Sequence, residues 1–137
     1  MEQVLLDNTV LTNYALVKRL DILFSIPGKR LLITEAAANE YAEGVARSRV
    51  PEIDLSSFCR VKLSVEEEEC ARRFSNRFGK GERSCIAVCI FRDGIFASDD
   101  KDARSLCERL KIPVTGTVGI LVDAVRRTYL EPEAAPN

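Results

Sequence analysis

Short apolar runs alternate with longer helical patterns along almost the whole chain. The runs have the length and composition of strands and lie at residues 3–6, 30–33, 58–63, 94–98 and 112–115. Because strands that alternate with helices usually pair in parallel, this pattern predicts a three-layer α/β/α domain with a mainly parallel central sheet. Ligands bind such sheets beyond the carboxyl ends of the strands, so polar residues that follow strands are the first candidates for a site.

The length of the chain fits one domain. Its 137 residues are enough to bury a core, and we expect a single domain over residues 1–130 with a polar, proline-containing tail at 131–137. The apolar fraction of 46% is that of an ordinary soluble protein. The start, MEQVLLD, lacks the basic and apolar regions of a secretory signal, so a cytoplasmic location without membrane association is expected.

The absence of histidine narrows the chemistry open to this chain. Triads of the Ser-His-Asp and Cys-His types are excluded, because no imidazole can act as the base. The five cysteines contain no CxxC pair, which disfavours a zinc site. Cys85 and Cys89 lie one turn apart in an apolar helical pattern and are expected to be core residues. Acid–base or metal chemistry would therefore depend on Asp, Glu, Lys, Tyr or water.

Acidic residues follow two of the predicted strands. Asp7 comes directly after the first strand, and Asp99 and Asp100 come after the strand at 94–98. If these strands are parallel neighbours, their acids meet at one edge of the sheet. Glu40 lies in the helix that follows the second strand, and Glu82 begins an apolar helix, so both can reach the same edge. Taken singly, each acid could instead be a turn residue, a solvated helical Glu or a helix cap.

Two helix starts can be predicted in more detail. The first helix is expected to begin at about Thr9, with Asn8 or Thr9 as its cap. Ser64 and Glu67 have the spacing of a capping box. The run of four glutamates at 66–69 is expected to be the solvated start of that helix, paired with the arginines four residues further along.

Four acidic segments of the chain resemble, in order and spacing, the four acidic motifs of PIN domains. They are LLDNTVL (5–11), AANEY (37–41), GKGERSCIAVC (79–89) and FASDDKDAR (96–104). Together with PVTGTVGIL (113–121), the last two are similar to a prokaryotic PIN-like branch related to VapC toxins. The resemblance covers about residues 3–125, with Glu82 at a position where Asp is commoner.

The resemblance implies an activity and a set of residues for it. PIN domains are typically Mg²⁺- or Mn²⁺-dependent nucleases that most often act on RNA, and many are toxins of toxin–antitoxin pairs. Carried over by motif, the catalytic acids would be Asp7, Glu40, Glu82 and Asp100. Asp7, Glu82 and Asp100 would hold the principal ion, with Asp99 as a further ligand, while Glu40 would orient a water or hold a second ion.

The same resemblance suggests supporting residues and partners. Thr9, Ser98 and Asp102 would be auxiliary residues near the metal. Three basic residues close to the acidic motifs are candidates for contacts to the nucleic-acid backbone, namely Lys80, Arg83 and Lys101. The expected partners are an RNA substrate, an antitoxin protein and a second copy of the chain in a homodimer.

Other interpretations of the acids remain open at this point. A phosphatase of the haloacid dehalogenase type needs a second Asp two residues after the first, and Thr9 occupies that place. A receiver domain would carry its acid cluster near the first strand, whereas the paired acids here come late in the chain. The strongest alternative is a PIN fold that does not cleave and serves as a binding or assembly module.

Overall fold

A computed structural model of the protein describes residues 1–129 and contains one five-stranded sheet. Its spatial order is β3-β2-β1-β4-β5, and every neighbouring pair is parallel. The strands are β1 (Glu2–Leu6), β2 (Lys29–Thr34), β3 (Cys59–Val61), β4 (Ile95–Ala97) and β5 (Val114–Thr115). The predicted tail at 131–137 and the last residue of the predicted domain lie outside the described residues.

Six α-helices within residues 1–129 complete the three-layer α/β/α fold and confirm the predicted architecture. They are α1 (Asn8–Leu16), α2 (Glu35–Ala46), α3 (Val65–Arg73), α4 (Lys80–Arg92), α5 (Lys101–Arg109) and α6 (Thr117–Tyr129). Helix α4 contacts β1, β2 and β4 as well as α2 and α3, whereas α1 contacts α2 and α6. Helix α4 is therefore the central helix on its side of the sheet. Within residues 1–129, no helix is both long and apolar enough to cross a membrane.

The core is formed where the strands pack against α4. Leu5, Ile33 and Phe96 of the sheet are fully buried, and so is Ile86 of the helix. Cys85 and Cys89 are buried in the same region, which confirms that they are core residues. Burial also raises the pKa of both thiols, because the thiolate would lose its hydration. Neither cysteine is therefore available as a nucleophile or metal ligand at neutral pH.

The first helix begins one residue earlier than predicted, and its cap is Asp7. The Asp7 Oδ1 atom accepts a hydrogen bond from the backbone N–H of Asn8 at 2.8 Å, so neither Asn8 nor Thr9 is the cap. The backbone N–H of Asp7 also donates to Ala97 O of β4 at 2.9 Å. The residue that follows the central strand β1 therefore caps the first helix, and its carboxylate is held at the sheet edge.

The glutamate run at 66–69 is solvated only in part. Ser64 and Glu67 form the predicted capping box, but Glu67 is only 2% exposed. Its carboxylate binds the Arg92 guanidinium of α4 through two hydrogen bonds of 2.8 Å, because α3 packs against α4 at this position. The two predicted ion pairs, Glu68 with Arg72 and Glu69 with Arg73, are not formed in the part of the chain that the structure describes.

Candidate metal centre

The register of the sheet places the ends of β1 and β4 side by side. Leu6 lies opposite Ala97, so Asp7 and Ser98 leave their strands at the same level. Asp7 is 2% exposed, and its Oδ2 atom accepts hydrogen bonds from Ser98 Oγ at 2.7 Å and Thr9 Oγ1 at 3.1 Å. Burial raises the pKa of Asp7, and the nearby Glu40 charge adds to that effect. The two hydroxyls partly offset the cost of this buried charge.

Backbone amides orient the two hydroxyls toward Asp7. The N–H of Asp100 donates to Ser98 Oγ at 3.0 Å, and the N–H of Asp99 donates to Thr9 Oγ1 at 2.9 Å. Each hydroxyl therefore accepts from an amide of the β4–α5 turn and donates to the Asp7 carboxylate. This arrangement couples the orientation of Asp7 to the position of the turn that carries Asp100.

Glu40 reaches the same edge from α2. Its Oε1 atom accepts from Asn8 Nδ2 at 3.0 Å, and its Oε2 atom accepts from the Gly81 N–H at 3.2 Å. A Cβ at position 81 would lie 2.3 Å from Glu40 Oε1 and 3.2 Å from the Ala37 Cα. Glycine is needed at this position because Glu40 and the backbone of α2 approach α4 so closely. The first turn of α4 and Glu40 therefore form one unit.

Glu82 and Asp100 lie close enough for each carboxyl group to change the pKa of the other. Glu82 Oε1 accepts from the Gly79 N–H at 3.1 Å, while Glu82 Oε2 is buried without a hydrogen-bond donor. Burial, the Asp100 carboxyl and the Asp7 charge raise the pKa of Glu82 to about 8. A hydrogen bond from protonated Glu82 lowers the pKa of Asp100. We therefore expect the pair to share one proton at neutral pH, with Glu82 favoured over Asp100 as its site.

The donor set suits a hard divalent cation. Two acceptor groups that face each other need a proton or a cation between them, and carboxylate oxygens are the ligands that Mg²⁺ and Mn²⁺ prefer. Glu82 Oε2 is buried and lacks a hydrogen-bond partner, so a bound cation would stabilise this atom most. In residues 1–129, however, no group of three or more His, Cys, Asp or Glu side chains is arranged to hold a metal as it stands.

Asp99 and Asp102 lie close to the pair but point elsewhere. Asp99 Oδ1 accepts from the Thr117 N–H at 2.9 Å, and Oδ2 accepts from Asn13 Nδ2 at 2.8 Å and from the Thr117 hydroxyl. The Asp99 side chain therefore ties the turn after β4 to α1 and α6. Asp102 is exposed in the first turn of α5, where its N–H donates to Asp100 Oδ1 at 3.0 Å.

The three basic candidates lie near the acids in the chain but form no ion pairs with them in residues 1–129. Lys80 and Lys101 are exposed, and Arg83 donates to Asn76 Oδ1 at 3.2 Å. Sequence reasoning did not select Arg77, whose charge acts on the Asp100 carboxyl and helps to lower its pKa. Its guanidinium lies 5.1 Å from the centre of the Phe78 ring. Nothing in the local pattern distinguishes Arg77 from the other arginines of the loop before α4.

Comparisons with known proteins agree with this fold. The chain superposes on a PilT N-terminus domain protein from the hyperthermophilic archaeon Sulfolobus solfataricus P2 with a TM-score of 0.61. That likeness covers 90% of this chain and 93% of the other at 13% sequence identity, so it shows the fold alone. No curated protein matches the sequence. The family model described as a PIN domain (DUF3368) matches residues 3–136. A match over nearly the whole chain shows that this protein belongs to the PIN domain family.

Proposed function

We propose that the protein is a metal-dependent endoribonuclease that hydrolyses phosphodiester bonds at the carboxyl edge of its sheet. The observation that carries the proposal is the meeting of three acids at one edge of the sheet, namely buried Asp7, Glu82 with its unpartnered Oε2 atom, and Asp100. Bringing buried Asp7 together with the partly buried Glu82 and Asp100 is unfavourable unless a cation compensates their charge. Membership of the PIN domain family, whose members are generally nucleases, supports the same proposal.

In this proposal Asp7, Glu82 and Asp100 hold a Mg²⁺ or Mn²⁺ ion. When bound, the ion would supply positive charge for the phosphoryl oxygens and lower the pKa of a water nucleophile. The Ser98 and Thr9 hydroxyls keep Asp7 oriented, since both donate to its Oδ2 atom. In this proposal Glu40, whose carboxylate accepts from the Asn8 amide and the Gly81 N–H, orients the attacking water. Asp99 contributes by positioning the turn and is not among the proposed ligands.

A cleavage assay tests the proposal. The protein is incubated with labelled single-stranded and structured RNA in Mg²⁺ or Mn²⁺, and in parallel with a chelator. We expect new fragments only in the presence of the metal, because Glu82 and Asp100 then exchange their shared proton for a cation. Equal cleavage with the chelator would contradict the metal-dependent mechanism, and intact RNA under every condition would contradict the nuclease activity itself.

The biological role belongs to the same proposal. The similarity of four motifs to the branch related to VapC toxins supports a cytoplasmic toxin whose activity is held in check by an antitoxin protein. Exposed apolar residues at the end of α1, including Leu16 and Val17, offer a surface for a second copy in a homodimer. A neighbouring reading frame that encodes a small DNA-binding protein would support the toxin–antitoxin role.

The second candidate is a PIN fold that binds partners without cleaving. It is favoured by the finding that the acids of residues 1–129 include no group already arranged to hold a metal. Calorimetric titration with Mn²⁺ separates the two candidates. A nuclease should bind the ion in a manner that Asp7→Asn abolishes, whereas an assembly module should give no heat that depends on Asp7.

Metal binding should also depend on pH. Because the pKa of Glu82 is raised to about 8, the metal-free site carries a proton at neutral pH that a cation must displace. We expect the affinity for Mg²⁺ to rise from pH 6 to pH 8, by up to roughly tenfold per pH unit, and to level off above pH 8. Titrations in two buffers with different ionisation enthalpies would measure the released proton, and an affinity that does not change with pH would contradict the shared-proton arrangement.

A further inference from the structure

A basic groove runs beside the candidate metal centre, between α2, α3 and α4. The residues that matter for its chemistry are Asn39, Lys62, Arg72, Lys80, Arg83 and Ser84. They come from one face of α2, from the segment that follows β3, from the last turn of α3 and from the first two turns of α4. The groove therefore opens over the carboxyl ends of the strands, on the same edge of the sheet as the acids.

The cations of the groove form no ion pairs with neighbouring acids. In the part of the chain that the structure describes, no ion pair involves Lys62, Arg72, Lys80 or Arg83. Two acids also line the groove: Glu35 is already paired with Arg60 at 3.3 Å, and Glu68 leaves the four cations in excess. Arg83 Nε is buried without an acceptor. The groove thus has an excess of positive charge and an unused hydrogen-bond donor.

The groove lies beside the carboxylate cluster. Asn39 in its lining precedes Glu40, and Lys80 precedes Gly81, whose N–H donates to the Glu40 carboxylate. A polyanion that enters the carboxylate cluster from this side has to pass over the groove. Positive charge there would offset the repulsion between its phosphates and the acids.

We propose that this groove binds the phosphodiester backbone of the RNA strand next to the bond that is cleaved. The inference rests on the proposed function, because the groove would bind the RNA that the proposed nuclease cleaves. Lys62 and Arg72 bind backbone phosphates furthest from the acids, while Lys80 and Arg83 bind the phosphates nearest to them. Interactions of this kind position the strand without reading its sequence.

Binding can be measured separately from cleavage. The Asp7→Asn variant serves as the background, and its affinity for a fluorescent single-stranded RNA of about twelve nucleotides is measured by anisotropy in Mg²⁺ at several salt concentrations. Adding Lys62→Ala or Arg72→Ala is expected to weaken binding roughly 3- to 10-fold and to reduce the salt slope by about 0.7 for each phosphate that the protein no longer neutralises. Matched controls are Arg49→Ala and Arg109→Ala, which remove exposed cations outside the groove.

Further variants exclude a loss of folding as the cause. Lys62→Arg and Arg72→Lys keep the charge and should retain most of the affinity, and thermal unfolding should show that all variants are folded. Affinities for Lys62→Ala and Arg72→Ala equal to those of the two controls would overturn the proposal. So would an acidic peptide of similar charge that binds the groove as tightly as the RNA, since the groove would then fit a protein partner.

The result is distinguishable from a failure of the nuclease proposal. One result is that the unsubstituted protein cleaves RNA while Lys62→Ala and Arg72→Ala bind and cleave it as the controls do. That result would contradict the groove proposal and support the nuclease proposal. If the unsubstituted protein never cleaves but the same two variants weaken RNA binding selectively, the nuclease proposal falls and the groove stands as a nucleic-acid site.

Discussion

Replacement of Asp7 or Asp100 by Asn is expected to lower metal-dependent RNA cleavage by at least about 100-fold, because each substitution removes one negative ligand of the proposed ion. Asn is a good N-cap, and both residues cap helices in the folded protein. The substitutions therefore change the charge while leaving α1 and α5 able to form. Initial rates of cleavage at saturating Mn²⁺, measured with the unsubstituted protein in parallel, give the ratio.

The matched control for this prediction is Asp102→Asn. Asp102 is exposed, lies two residues from Asp100 and loses the same charge on substitution. We expect it to change cleavage by less than a few-fold, because its carboxylate takes no part in the facing pair. Undiminished cleavage by both Asp7→Asn and Asp100→Asn would rule out the proposed ligand set, and an equally large decrease in Asp102→Asn would mean that overall charge is responsible.

The second large effect should be on stability, at the Glu67–Arg92 ion pair. Replacing Glu67 by Ala leaves Arg92 without its ion-pair partner and removes the capping box of α3, in which Glu67 Oε1 accepts from the Ser64 N–H at 2.8 Å. Breaking one side of a buried pair costs about 3 kcal/mol or more, and we expect the lower end because the Arg92 side chain is 37% exposed. Urea unfolding followed by circular dichroism measures the difference.

A neighbouring glutamate provides the comparison. Glu69 lies in the same run and is exposed, so Glu69→Ala should change the free energy of unfolding by no more than about 0.5 kcal/mol. A destabilisation of similar size in both variants would contradict a specific role for the ion pair. An equal decrease of helix content in both would instead indicate that the charge at the start of α3 is what matters.

The same pair predicts how stability depends on pH. The hydrogen bond and charge of Arg92 lower the pKa of Glu67, so the unfolded chain binds the proton more readily than the folded one. Its contribution is therefore complete above the unfolded pKa of about 4.3 and is lost as the pH falls through the lower, folded pKa. Glu67→Gln should remove this part of the acid dependence, and an unchanged profile would contradict the assignment.

Several features of the fold could be predicted because they depend on short-range pattern. The alternation of apolar runs and helices was sufficient for a parallel α/β sheet, since strand and helix periodicities are local. The capping box at Ser64 and Glu67 was equally predictable from spacing. The burial of Glu67 and its ion pair with Arg92 could not be predicted. Both follow from the packing of α3 on α4, and spacing within α3 carries no information about α4.

The candidate site divides in the same way. Sequence determined the residue types available, namely acids after strands with no histidine, and the order of motifs that indicated a PIN domain. Only the tertiary structure decided which acids act together: the β1–β4 register placed Asp7 beside Ser98, and the close approach at Gly81 placed Glu40 against α4. It also directed the Asp99 carboxylate to Thr117, away from the facing pair of Glu82 and Asp100. Side-chain direction at a strand end depends on the donors that distant segments bring near it, and these exist only once the chain has folded.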